Sequence, residues 1–140
     1  MSSYLSIYIV PKEKSDKEEK RHILIASYSR NTEIYQRFNE NINPVFIGVN
    51  NEEIPYTTIG KEGINAIMRD FDKDINSARN NLIEYEKYVL NNPKYIQDII
   101  STKDYINDLQ YWRDKTSFIE DIVNDIGFND AIEEVCCNID

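Results

Sequence analysis

Residues 64–89 read INAIMRDFDKDINSARNNLIEYEKYV. Within them Ile64, Met68, Phe71, Ile75, Ala78, Leu82, Tyr85 and Val89 are separated by alternating steps of four and three. That spacing returns an apolar side chain to one side of an α-helix along its whole length. Residues 105–126, YINDLQYWRDKTSFIEDIVNDI, repeat the pattern with Tyr105, Leu109, Trp112, Thr116, Ile119, Val123 and Ile126. Between the stripes stands Asn91-Asn92-Pro93. Asn92 suits a helix cap and Pro93 the first helical position. Two long stripes joined by a short break predict an antiparallel helical hairpin of coiled-coil type.

Gly60 and Gly63 mark the join into the first arm, expected to run to about Leu90. Its polar side is expected to carry Asn65, Asp72, Asn76, Arg79, Asn80 and Glu86, facing away from the seam. In the second arm Tyr95, Ile96, Ile99 and Ile100 are out of phase with the stripe that starts at Tyr105. Ser101-Thr102-Lys103-Asp104 also resembles a capping box. A kink or restart is therefore expected near Ser101, and a stop at Gly127. The remaining FNDAIEEVCCNID has Phe128, Ile132 and Val135 at a spacing that suits one or two helical turns.

Upstream, the pattern changes to period two. In YLSIYIV, residues 4–10, Leu5, Ile7 and Ile9 take one face of a strand, which Pro11 ends. Residues 12–21 hold five basic and four acidic side chains, a solvated loop. HILIASYS, residues 22–29, predicts a second strand pairing antiparallel with the first. Asn31 or Thr32 caps a short helix with Ile34, Phe38 and Ile42 on its inner side. Asn43-Pro44 breaks it. VFIGV, residues 45–49, is a third strand, residues 50–53 a polar turn, and residues 54–59 a fourth strand confined by Pro55 to an edge or an end. The fold class that follows is α+β: a small antiparallel β-sheet with a short helix, then the long hairpin. The expected divisions are a base over residues 1–60, the hairpin over 61–127 and an acidic C-terminal tail over 128–140. A helix of thirty residues is roughly 45 Å long, so the hairpin is expected to project or to pack on copies of itself.

Composition narrows the function classes. Hydrophobic residues make up 41% and charged residues 29%, which suits a folded chain rather than a disordered one. The apolar runs are too short for a membrane span, and the first residues lack the pattern of a secretory leader. Net charge is -9, and no Lys or Arg follows Lys115. Direct nucleic-acid binding by phosphate neutralisation is not expected of such a chain. Cys136 and Cys137 are adjacent and alone. They cannot form the strain-free disulfide or the zinc site that spaced pairs allow, so two reduced thiols in a cytoplasm are expected.

Few residue groups invite chemistry. His22 has Ser27 and Ser29 on its own strand but no spacing that makes a triad, and reads as structural. Asp70, Asp72 and Asp74 copy the spacing of a calcium loop without its glycine or glutamate, and read as a solvated helix face. Gly60-Lys61-Glu62-Gly63 lacks the pattern of a phosphate loop. No catalytic residue, cofactor or metal is expected. Ten tyrosines and one tryptophan say more, because large amphipathic rings suit protein interfaces as well as wet-edged cores. Tyr88 and Tyr95 flank the hairpin tip, and Tyr111 and Trp112 lie along the second arm. Glu120, Asp121 and Asp125 crowd the last turns of that arm, where the helix dipole disfavours carboxylates. These seven are the candidate contact residues.

The expectation is a non-enzymatic protein-interaction or assembly protein whose hairpin binds a protein partner or forms a homo-oligomer. The abundance of Asn, Ile, Lys and Tyr fits AT-rich codons, and with them a small phage virion or host-interaction component in the host cytoplasm. The alternative is an acidic inhibitor that imitates nucleic acid to block a nuclease or defence protein. A small enzyme or ligand-binding base is a third, weaker reading.

Overall fold

The computed structural model describes residues 4–12, 22–41, 46–49, 55–125 and 130–139. The fold is α+β: an antiparallel sheet, a short helix and a long antiparallel helical hairpin. In chain order the elements are β1 (Tyr4–Pro11), β2 (Ile23–Ser29), α1 (Glu33–Asn41), β3 (Phe46–Val49), β4 (Pro55–Thr58), α2 (Gly60–Tyr88), α3 (Tyr95–Asn124) and β5 (Ile132–Ile139). They divide into two compact units. One joins Met1–Ile67 to Thr116–Asp140, and the other is Met68–Lys115. The readings of residues 13–21 as a charged loop and 50–53 as a turn lie outside the described residues. So do those of Ile42, Asn43-Pro44, Ile54, Ile126, Gly127 and Phe128.

The first unit holds the sheet, in the order β2-β1-β5-β4-β3 with every described pairing antiparallel. β1 pairs with β2 as the alternation of YLSIYIV requires, with a bulge opposite Ile7 and Tyr8 where Ile25 is extra. Leu5, Ile7 and Ile9 are buried along one face of β1. On α1, the Thr32 hydroxyl accepts a hydrogen bond from the Tyr35 amide at 3.3 Å and donates one to the Ser29 carbonyl at 2.8 Å. Of the two candidate caps, Thr32 is the one used. Ile34 and Phe38 are fully buried, and α1 lies against β1 and β2.

One expectation for this unit is corrected. The segment read as an acidic tail with helical turns is β5, the central strand, paired to β1 on one side and β4 on the other. Val135, Cys136 and Cys137 are buried in succession. A strand covered on both faces loses its alternation, and a short apolar run then fits helix and strand equally. Of the edge or end that Pro55 allowed this strand, it takes the end: β4 lies between β5 and β3. Pro55 is tolerated there as the first residue of the strand.

Gly60 opens α2 with a φ of 65°. Left-handed backbone of this kind lets the chain turn from β4 directly into the helix. The Gly63 amide then donates to the Ile59 carbonyl at 3.2 Å. α3 is a single helix from Tyr95 to Asn124, so the restart expected near Ser101 does not occur. The reason is a one-residue error in phase. Ile106, not Tyr105, is the half-buried residue, and Tyr105 is exposed. With Ile106 in place, Tyr95, Ile99, Thr102, Ile106 and Leu109 follow one another in unbroken steps of four and three. Both residues precede Leu109 by about one turn, so periodicity alone did not separate them.

In the second unit Met68, Phe71, Ile75, Ala78 and Leu109 are buried. Leu82 and Tyr85 on α2, Val89 just beyond it, and Ile99, Thr102 and Ile106 on α3 are only half-buried. The seam is thus closed at one end of this unit and half-open toward the tip.

Candidate interaction surface

Polar side chains fix the antiparallel register of α2 and α3. In the first unit, Asn65 and Asn124 exchange amide hydrogen bonds of 3.0 and 2.8 Å. In the second, Asp72 accepts from the Arg113 Nε at 3.1 Å. Arg79 donates to Gln110 at 3.4 Å, and Glu86 lies 3.7 Å from the Lys103 ammonium. Asn65, Asp72, Arg79 and Glu86 recur every seven residues, each one step after a seam residue. One helical residue turns the side chain by about 100°, which places it on the flank of the seam and not on the far side. Their expected position on the solvent side is therefore corrected. Arg113 is more enclosed than Asp72, and also donates to the Met68 sulfur at 3.7 Å.

The same geometry exposes a row of aliphatic side chains. Leu82-Ile83, Val89-Leu90, Tyr95-Ile96 and Ile99-Ile100 are apolar doublets. In each, the first residue is half-buried on the seam and the second is turned out of it. Ile83 is 60% exposed, Leu90 92%, Ile96 53% and Ile100 58%. The Glu86–Lys103 contact shows that they share one broad side of the hairpin. Ile83 precedes Glu86 by three residues on α2, and Leu90 follows it by four in the turn beyond. Ile100 and Ile96 precede Lys103 by three and seven on α3. In an antiparallel pair, a step of one residue beyond the seam moves both helices' side chains to the same side. Tyr111, three turns beyond Ile100, extends the strip along α3.

The seven candidates named from sequence do not form one site. Tyr88 is exposed, with the Lys87 ammonium 5.4 Å from its ring centre. Tyr95 is half-buried and stacks on Tyr85 at 5.6 Å, with Lys94 over it at 5.8 Å. Tyr111 is exposed, meets Trp112 edge-on at 5.1 Å and has Lys115 over its ring at 5.4 Å. Trp112 is half-buried. In the first unit Glu120 is half-buried, and Asp121 and Asp125 are exposed. The Asn124 side chain donates to the Glu120 carbonyl at 2.7 Å, which satisfies one acceptor at the end of α3 without a cation. Ile83, Leu90, Ile96 and Ile100 were not among the candidates. The signal for them was the doublet, in which only one residue of two can lie on the seam.

The sheet offers a second cluster. Val10 and Cys136 are buried together on one face, with Tyr8 packed against them. His22 meets the Tyr8 ring edge-on at 6.4 Å, and the Thr58 hydroxyl donates to the Glu134 carboxylate. Cys136 is the one thiol in this group. Burial, then the negative charge of Glu134, push its thiol up to about 12. Burial pushes Cys137 up to about 12 as well. Both are held protonated at neutral pH, the reverse of what a nucleophilic thiol needs. Among the described residues no group of three or more His, Cys, Asp and Glu side chains is placed to hold a metal ion. No described helix is long and apolar enough to cross a membrane. No protein-family model matches this sequence, and no curated protein or solved structure matches it either.

Proposed function

We propose that this chain is a non-enzymatic protein-interaction or assembly protein that docks through the distal half of its helical hairpin. The observation that carries the reading is the exposed aliphatic set of Ile83 on α2, Leu90 in the turn beyond it, and Ile96 and Ile100 on α3. Large aliphatic side chains add nothing to the stability of a hairpin when they stand in water, and their burial by a partner is favourable at about 25 cal/mol per Å². The rival reading, imitation of nucleic acid by a row of carboxylates, fits the arm poorly. Residues 68–115 contain eight basic and nine acidic side chains, so the acidic excess lies elsewhere in the chain. Asp72 and Glu86 are moreover paired with Arg113 and Lys103.

The test is a photoactivatable residue placed at position 96, and at position 81 on the opposite flank of the seam as a control, followed by irradiation of expressing cells. Position 96 should give discrete protein adducts, to this chain or another, and position 81 should not. Equal adduct yields at the two positions would remove the reading.

A further inference from the structure

We infer that the surface which covers the aliphatic strip is the same strip of a second copy of this chain, related by a twofold axis that passes between Glu86 and Lys103. The inference rests on the interaction reading above and names the partner. Its first support is charge. The strip is built around one carboxylate and one ammonium, 3.7 Å apart and both largely exposed. A pair so exposed contributes little within its own chain. A twofold axis between the two groups sets Glu86 of each copy over Lys103 of the other, so the strip is complementary to itself. A partner of strong single sign would leave one of the two groups unmatched.

The second support is where the repulsion lies. Of the net charge of -9, all but -1 belongs to residues outside 68–115. Two copies meeting elsewhere bring like charges together, and two copies meeting along this arm do not. The third is shape. Ile83 comes from α2, Leu90 from the turn beyond it, and Ile96, Ile100 and Tyr111 from α3. Two broad sides of this kind pack as a four-helix bundle, in which each aliphatic residue fills the space between helices of the other hairpin. Five apolar side chains fall short of the roughly 800 Å² per partner of a standard interface, so the dimer is a weak one, with Kd on the order of 10 μM.

The test is sedimentation equilibrium of the purified full chain from about 1 to 300 μM, a range that brackets this Kd. Wild type should pass from monomer to dimer. Glu86→Lys and Lys103→Glu, each facing like charge across the axis, should each weaken the dimer by about tenfold. An equimolar mixture of the two variants should regain the wild-type Kd, because each then offers the charge that the other lacks. Recovery on mixing separates contact between chains from any effect within one chain. A wild type that stays monomeric throughout overturns the inference, and so does a mixture no tighter than its components. Should a charge variant lose helical signal, Ile100→Ser replaces it: a tenfold weaker dimer supports the inference and an unchanged Kd overturns it. A monomeric wild type together with position-96 adducts to a different protein removes the second copy as partner and leaves the interaction reading standing.

Discussion

At the scale of single residues, the chain turns on a few side chains whose environment departs from their ordinary one. Tyr28 is pushed up to about 12 by burial, alongside Cys136 and Cys137. In the unfolded chain these groups ionise near 10 and 9. Each raised value stabilises the fold while the group stays protonated in both states. That contribution is complete below about pH 9 and is lost as pH climbs toward 12. Urea midpoints should therefore be flat from pH 7 to 8.5 and fall steadily above pH 9. At pH 8 a disulfide reagent such as Ellman's should label native protein slowly and unfolded protein at once, and fast labelling of the native state would contradict the buried thiols. Gly60 makes a separate test. At its φ of 65° an added Cβ meets no atom within 4 Å, so the cost of Gly60→Ala is backbone strain alone. That strain is about 1–2 kcal/mol, read as a lower melting temperature.

Among the elements, the hairpin is firm where Phe71 and Leu109 are buried and weaker toward the tip. Phe71→Ala should cost about 3–5 kcal/mol, as for a fully buried aromatic. Leu82→Ala, at a half-buried position, should cost about half of that or less. Equal losses from the two would show the seam to be uniformly packed. Backbone amides of residues 79–90 and 95–106 should likewise exchange with solvent sooner than those near Phe71 and Leu109, a gradient that amide exchange reads directly. The hairpin was legible in the sequence because its heptad spacing is long and regular. The phase of α3 before Leu109 was not, since Tyr105 and Ile106 both sit about one turn from Leu109. The flanking residues Asn65, Asp72, Arg79 and Glu86 were misplaced for a related reason. A two-class division into apolar stripe and opposite face has no room for the 100° positions, and those positions hold both the cross-helix contacts and the aliphatic strip.

Across the whole molecule, strand pairing shows what sequence reading reaches and what it misses. β1 with β2 is a neighbour pairing in the chain, and the alternation in YLSIYIV and HILIASYS was enough to find it. β5 was missed because its partners are remote: Leu5 lies beside Ile139, and Thr57 beside Cys137. No local pattern announces a strand whose two faces are both covered. The placement of β5 has a further consequence, for the order in which the chain is made. β1–β2 and β3–β4 are hairpins whose halves leave the ribosome close together, and each can form at once. Nothing described joins one ribbon to the other except β5. That strand follows both long helices in the chain, so through most of synthesis the two ribbons exist side by side with their inner edges bare. Unpaired strand edges are where nascent chains aggregate or recruit chaperones. Ribosome-stalled chains in which residue 125 has just cleared the exit tunnel should be protease-resistant over residues 68–115 and sensitive over residues 4–58. Stalling far enough beyond residue 139 to free β5 should protect both.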